Sequence, residues 1–169
     1  MAKVDAIVYN SNAGHGKEYA RIISEATGVK AYDLEEAKNS LNNDTKVLFI
    51  GWIMGSGIKG YKKAVKAFDV LGVCAVGMAP MGATDGEIKN KNNLPKSMQF
   101  FYLQGGFEWD KVSGADKTIM KVVKKKFNKD FGGKEDISEG EKDMLELVNK
   151  GGSRVSAENA TKVIEWVNS

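Results

Sequence analysis

Residues 4–17 read Val4-Asp5-Ala6-Ile7-Val8-Tyr9-Asn10-Ser11-Asn12-Ala13-Gly14-His15-Gly16-Lys17, and the fold turns on how this stretch is understood. Val4, Ala6, Ile7, Val8 and Tyr9 form a compact apolar run of strand-forming residues. A small, polar, glycine-bearing turn follows at once and opens a segment with helical spacing, which predicts a strand, a loop and a helix start. An anion suits that geometry. The unpaired N–H groups of a first helical turn, the positive end of the helix dipole and glycines that permit close approach converge on one spot. The predicted phosphate-binding loop comprises Ser11, Asn12, Ala13, Gly14, His15, Gly16 and Lys17, with His15 or Lys17 adding charge. The plain alternative is a strand-to-helix turn that carries glycine only to make the bend.

Two nucleotide motifs are excluded. G-x-x-x-x-G-K-[ST] needs glycine where Ser11 stands and a hydroxyl where Glu18 stands. G-x-G-x-x-G needs a third glycine where Tyr19 follows Gly14 and Gly16.

Beyond the loop, Lys17 to Ala26 has helical spacing and Gly28 stops it. Val29 to Leu34 is a short strand candidate, Glu35 to Asp44 a turn of helix or a loop, and Lys46 to Ile50 a buried-strand run. The segment Gly51 to Gly60, with four glycines, reads as a loop at the carboxyl end of that strand. Lys62 to Leu71 is helical, Val73 to Met78 a strand, Ala79 to Pro95 polar with a short helix near Glu87 to Asn92, and Gln99 to Leu103 the last strand, ended by Gly105-Gly106. Strands alternating with helices at these spacings predict a parallel sheet with helices on both faces, in a single α/β domain over 1–169.

The last third is helical. Ala115 to Phe131 sets Ile119, Met120, Val123, Phe127 and Phe131 on one side, with Lys117, Lys121, Lys124, Lys125 and Lys126 over the rest. Those lysines read either as a docking face for an acidic partner or a peripheral membrane contact, or as a solvated helix face. The expected core residues and the lack of an exposed aromatic belt favour the solvated face. Ser138 and Glu141 form a capping-box pattern for a helix to about Asn149, and Ser156 is placed to cap a final one.

Composition narrows the function. Hydrophobic residues make up 42% and charged residues 28% of 169, ordinary for a folded domain. Met1 and Lys3 lead straight into the first strand pattern, and no apolar run approaches the roughly 20 residues of a spanning helix, so the expectation is a cytoplasmic protein. Cys74, inside an apolar run, reads as a core residue; one cysteine and one histidine do not build a usual zinc site. A net charge of +3 is mild, and no nucleic-acid partner is expected.

In an open α/β sheet the ligand lies outside the carboxyl ends of the strands, where strand order reverses. Two further loops are predicted there. Gly51, Trp52, Ile53, Met54 and Gly55 offer an aromatic face among glycines; Met78, Ala79, Pro80, Met81 and Gly82 offer thioethers and backbone amides. Each also has an ordinary reading, Trp52 as edge packing and the methionines as adaptable filler. Asp85, Glu87, Glu108 and Asp110 lie near the same edge, and none is assigned a catalytic role.

The Ser11–Gly16 loop resembles the phosphate loop of flavodoxins, [ST]-x-T-G-x-T, with Ser11 and Gly14 kept and Ala13 and Gly16 in place of threonines. The stretch Phe101 to Lys126 and the helical tail after it resemble the flavodoxin-like branch that includes the menaquinone-dependent protoporphyrinogen oxidases. That resemblance implies a flavodoxin-like three-layer sandwich with a five-stranded parallel sheet of order 2-1-3-4-5. It also implies one noncovalent FMN, its phosphate on Ser11–Lys17 and its ring between the Gly51–Gly57 loop and the loop after Met78. The implied partner is a redox protein or a flat redox substrate. Three functions stay open: electron transfer, oxidation or reduction of a porphyrinogen- or quinone-like substrate, and a non-redox module binding a phosphorylated ligand or a protein.

Overall fold

A computed structural model describes residues 2–169; Met1, on which the expectation of a cytoplasmic protein partly rested, lies outside them. Strands β1 (Ala6–Asn10), β2 (Ala31–Asp33), β3 (Lys46–Met54), β5 (Asp69–Gly77) and β6 (Gln99–Gln104) pair in parallel in the order β2-β1-β3-β5-β6. A sixth strand, β4 (Gly57–Ile58), pairs antiparallel with the end of β3. The sheet is therefore mostly parallel rather than the five-stranded all-parallel one expected, and β4 shifts the strand numbering from the expected order.

The correction traces to residues 51–60. Gly55 and Ser56 have positive φ, 55° and 66°, and make a two-residue hairpin turn that returns Gly57 opposite Met54, while Gly60, at φ 87°, caps the helix that follows. Gly51 belongs to β3 and is small because Ile58, the Lys59 carbonyl and Phe49 crowd the place a Cβ would take. The edge of β4 is closed by Asn92, whose side chain accepts from Ile58 N–H at 2.8 Å and donates to the Ser56 carbonyl at 2.9 Å.

Helices cover both faces, as a parallel sheet requires. On one side α2 (Leu34–Ser40), α3 (Tyr61–Ala67) and α4 (Asp85–Lys91) pack Ala37, Ala64 and Ile88 over Val8, Phe49, Val73 and Ala75. On the other, α1 (His15–Thr27) and α7 (Thr161–Asn168) pack Tyr19, Ala20, Ile23, Val163 and Val167 over Ile7, Leu48, Ile50 and Cys74. The period-two alternation along β3 sends Leu48 and Ile50 one way and Phe49 the other. Cys74 is fully buried, with its thiol pushed above the ordinary range by desolvation. β5 begins at Asp69, so the preceding helix ends at Ala67 instead of Leu71; Gly72, inside the strand, makes room for the Trp166 ring. Ala160, not Ser156, is the N-cap of α7, while Ser156 Oγ accepts from Asn159 N–H in the turn before it.

Between β6 and α7 the chain makes an excursion. It leaves at Gly106 and returns at Ser153, where β7 (Gly106–Phe107) pairs antiparallel with β8 (Gly152–Ser153). Within it lie a short 3₁₀ turn (Trp109–Lys111) and a pair of helices, α5 (Gly114–Phe131) and α6 (Glu139–Lys150). The Ser138–Glu141 capping box is formed, and Asn128 and Asn149 exchange side-chain hydrogen bonds of 2.9 and 3.0 Å between the two helices. At the root, Gln104 Nε2 donates to the Met78 carbonyl at 3.0 Å and to Asp143, which also accepts from Arg154 Nε at 2.8 Å.

Gly106 has φ 134°, and a Cβ there would collide with the Gly152 carbonyl. Gly106→Ala is expected to cost about 1–3 kcal/mol through backbone strain. In hydrogen–deuterium exchange the loss should fall on residues 106–153, with amides of β1, β3 and β5 keeping their protection; uniform loss would contradict this account of the root.

Candidate functional site

The parallel strands end along one edge, and there lies a cavity of about 520 Å³. Its floor comes from the ends of β3 and β5, and its far wall is α5, whose apolar side the sequence pattern had assigned to the core. Parallel pairing sets this up: Asn10 lies opposite Gly51 and Trp52 opposite Val76, so the segments after β1, β3 and β5 leave on the same side.

The β1–α1 corner is built by Ser11, whose Oγ accepts from Gly14 N–H at 3.1 Å. Gly14 sits at φ 96° as the N-cap, and α1 starts at His15, two residues earlier than its spacing predicted. The Glu18 N–H closes on the Gly14 carbonyl at 3.0 Å, leaving the amides of His15, Gly16 and Lys17 ahead of the helix's own ladder. Gly16 is buried, and a Cβ on it would touch the Ser11 side chain and Ile50.

The cavity gathers Ser11, Asn12, Ala13, His15 and Gly16 from the first loop, Trp52, Ile53, Met54 and Gly55 from the second, and Met78 and Ala79 from the third. Gly14, Lys17, Gly51, Pro80, Met81 and Gly82 are not among its lining residues. Lys17 is exposed, and Met81 is 47% exposed. Pro80 faces the place a Cβ on Gly140 would take, at the start of α6.

Sequence reasoning missed the opposite wall. Phe107, Val112, Asp116, Ile119, Met120 and Val123 line the cavity from the excursion, and Tyr102 from β6. Ile119 and Val123 had been placed on the core side of a helix; the signal that could have separated them was the Gly105-Gly106 pair, which marks where the chain leaves the sheet. Tyr102 Oη donates to the Ala79 carbonyl at 2.8 Å, and burial raises its phenol above the ordinary tyrosine value, so it stays a donor. Gly77 leaves the space this phenol occupies.

Charge at the first loop arrives from 98 residues away. Lys111 Nζ donates to the Ala13 carbonyl at 3.1 Å and pairs with Glu108 at 3.0 Å. His15 Nε2 lies 3.3 Å from Glu108 Oε2 but off the direction a hydrogen bond needs, and is buried without a hydrogen-bond partner. A second, more polar groove of about 530 Å³ adjoins the cavity; Ser11, Asn12, Trp52 and Asp116 line both, and Lys59 Nζ stands 5.8 Å from the Trp52 ring.

The arrangement can hold a flat apolar group between Trp52–Gly55, Met78–Ala79 and α5, with a polar or anionic group at the Ser11–Gly16 corner. No family model matches the chain, and comparison with characterised proteins gives no match.

Burial holds the His15 ring below the ordinary histidine pKa; Glu108 pulls upward, and Lys111 adds to the lowering. As pH falls through the ordinary histidine value, the unfolded chain takes up a proton that the folded chain resists, so this residue lowers stability on the acid side. Urea unfolding of the wild type and His15→Gln from about pH 7.5 to 5 is expected to show the wild type losing stability relative to the variant as pH drops. Parallel curves would mean that the ring titrates normally.

Proposed function

We propose that the chain is an FMN-binding, flavodoxin-like protein acting in electron transfer or oxidoreduction. The observation that carries this reading is the apolar cavity at the carboxyl edge of β1, β3 and β5, with a helix N-terminus at one corner. The residues fit the group. The amides of His15, Gly16 and Lys17 face the corner where a phosphate belongs, Lys111 adds a cation beside them, and the unpartnered His15 Nε2 has hydrogen-bonding capacity to spare. Trp52 and the 53–55 backbone on one side and Met78–Ala79 on the other suit a planar heteroaromatic ring. When bound, FMN supplies one- and two-electron redox chemistry; the chain supplies orientation, exclusion of water and local charge.

A second reading is a flavin-dependent oxidase or reductase of a porphyrinogen- or quinone-like substrate. It is favoured by the excursion wall: Val112, Ile119, Met120 and Val123 face the strand-end loops across the cavity, giving a flat substrate an apolar surface to lie against. A carrier that passes electrons through an exposed ring edge has no need of that wall.

Retention of flavin absorbance after gel filtration of the FMN-treated protein is the direct test. Lys111→Gln removes one charge-assisted contact, worth about 1.5–3 kcal/mol, so FMN affinity is expected to fall roughly tenfold or more while riboflavin affinity stays unchanged. Failure to retain flavin at any concentration would remove both redox readings and leave a non-redox phosphoryl- or protein-binding module.

A further inference from the structure

We propose that α5 docks the protein onto an anionic membrane surface, with Val122 and Ile119 entering the interface and the neighbouring lysines meeting lipid phosphates. The helix carries six lysines against two aspartates, a surplus of four that exceeds the net +3 of the whole chain. One of the two aspartates, Asp130, is paired with Lys126 at 3.1 Å, and the other, Asp116, turns to the cavity. Lys121, Lys125 and Lys129 are exposed and take no part in the chain's ion pairs among the described residues.

The same face is not purely polar. Val122 is 64% and Ile119 46% exposed, two of the four large apolar side chains that stand in solvent among the described residues. Helical geometry sets Val122 three residues from Ile119 and three from Lys125, so aliphatic groups lie inside a fringe of ammonium groups. A solvated face would gain nothing from Val122, whereas a helix lying in a lipid interface buries such groups while its lysines stay at headgroup level.

Lipid is favoured over the other anionic partners. Nucleic-acid surfaces combine cations with exposed aromatic stacking groups. Trp109, beside Lys124, instead donates its Nε1 to the Val148 carbonyl at 3.0 Å, and Phe127 and Phe131 on the helix itself pack ring against ring. Contact would be peripheral, since no helix among the described residues is long and apolar enough to cross a membrane. Ile119 also lines the cavity, so the docked face borders its mouth. This inference does not depend on which ligand fills the cavity.

The test is sedimentation with vesicles of phosphatidylcholine alone and of equal parts phosphatidylcholine and phosphatidylglycerol, at low and high salt. The wild type is expected to pellet only with the anionic vesicles and to be released by salt. At about fivefold per lysine, Lys121→Gln/Lys125→Gln should weaken binding roughly thirtyfold, and Val122→Ser should weaken it several-fold with the salt dependence kept. Lys96→Gln/Lys162→Gln, remote exposed lysines, should leave it unchanged, and all variants should melt like the wild type. No binding to anionic vesicles, equal binding to neutral ones, equal loss in the remote variant, or retention only by polyglutamate or single-stranded DNA would each overturn the proposal.

Discussion

The parallel pairing of β3 between β1 and β5 is the constraint on which the remaining structure depends. Parallel strands must be joined by crossovers, so their carboxyl ends gather on one edge, and both faces of the sheet must be covered. Those requirements set α2, α3 and α4 over Phe49 and α1 and α7 over Leu48 and Ile50. They also collect Ser11, Trp52 and Met78, far apart in the chain, around one cavity.

The excursion changes what that edge can do. Its helices are held by a small apolar cluster of Phe107, Val112 and Met120, by the β7–β8 pair and by the polar relay from Met78 through Gln104 and Asp143 to Arg154. A Gln–Asp–Arg relay that is half buried depends on direction as much as on charge, so it fixes where α5 lies over the strand ends. Lys111 shows the consequence at the first loop, where a cation from the excursion reaches the Ala13 carbonyl.

Legibility differed by element. Strand cores such as Val73–Val76 and the Ser138–Glu141 capping box were plain because their signals are local: apolar runs of strand length and a side-chain-to-backbone exchange three residues apart. The hairpin at Met54–Gly57 was hidden because four glycines in ten residues looked like a loop, although only Gly55 and Ser56 make the turn. Gly51 is there for close packing and does not line the cavity. Of the three predicted loops, the first two lie largely in the cavity, and the third enters only through Met78 and Ala79 because Pro80 leans toward α6.

By itself the sequence determined the α/β class, the alternation of strands and helices, and the glycine-bearing corner after the first strand, since periodicity and backbone permissiveness are properties of neighbouring residues. Tertiary structure alone decided that α5 walls the cavity, that Lys111 rather than Lys17 reaches the Ala13 carbonyl of the first loop, and that Val122 stands in solvent while Ile119 is shared between solvent and the cavity wall. A helix's apolar stripe records that some face is covered, but what covers it depends on where the chain returns. Here that return is set by the pairing of Gly106 with Ser153 across an excursion of more than forty residues.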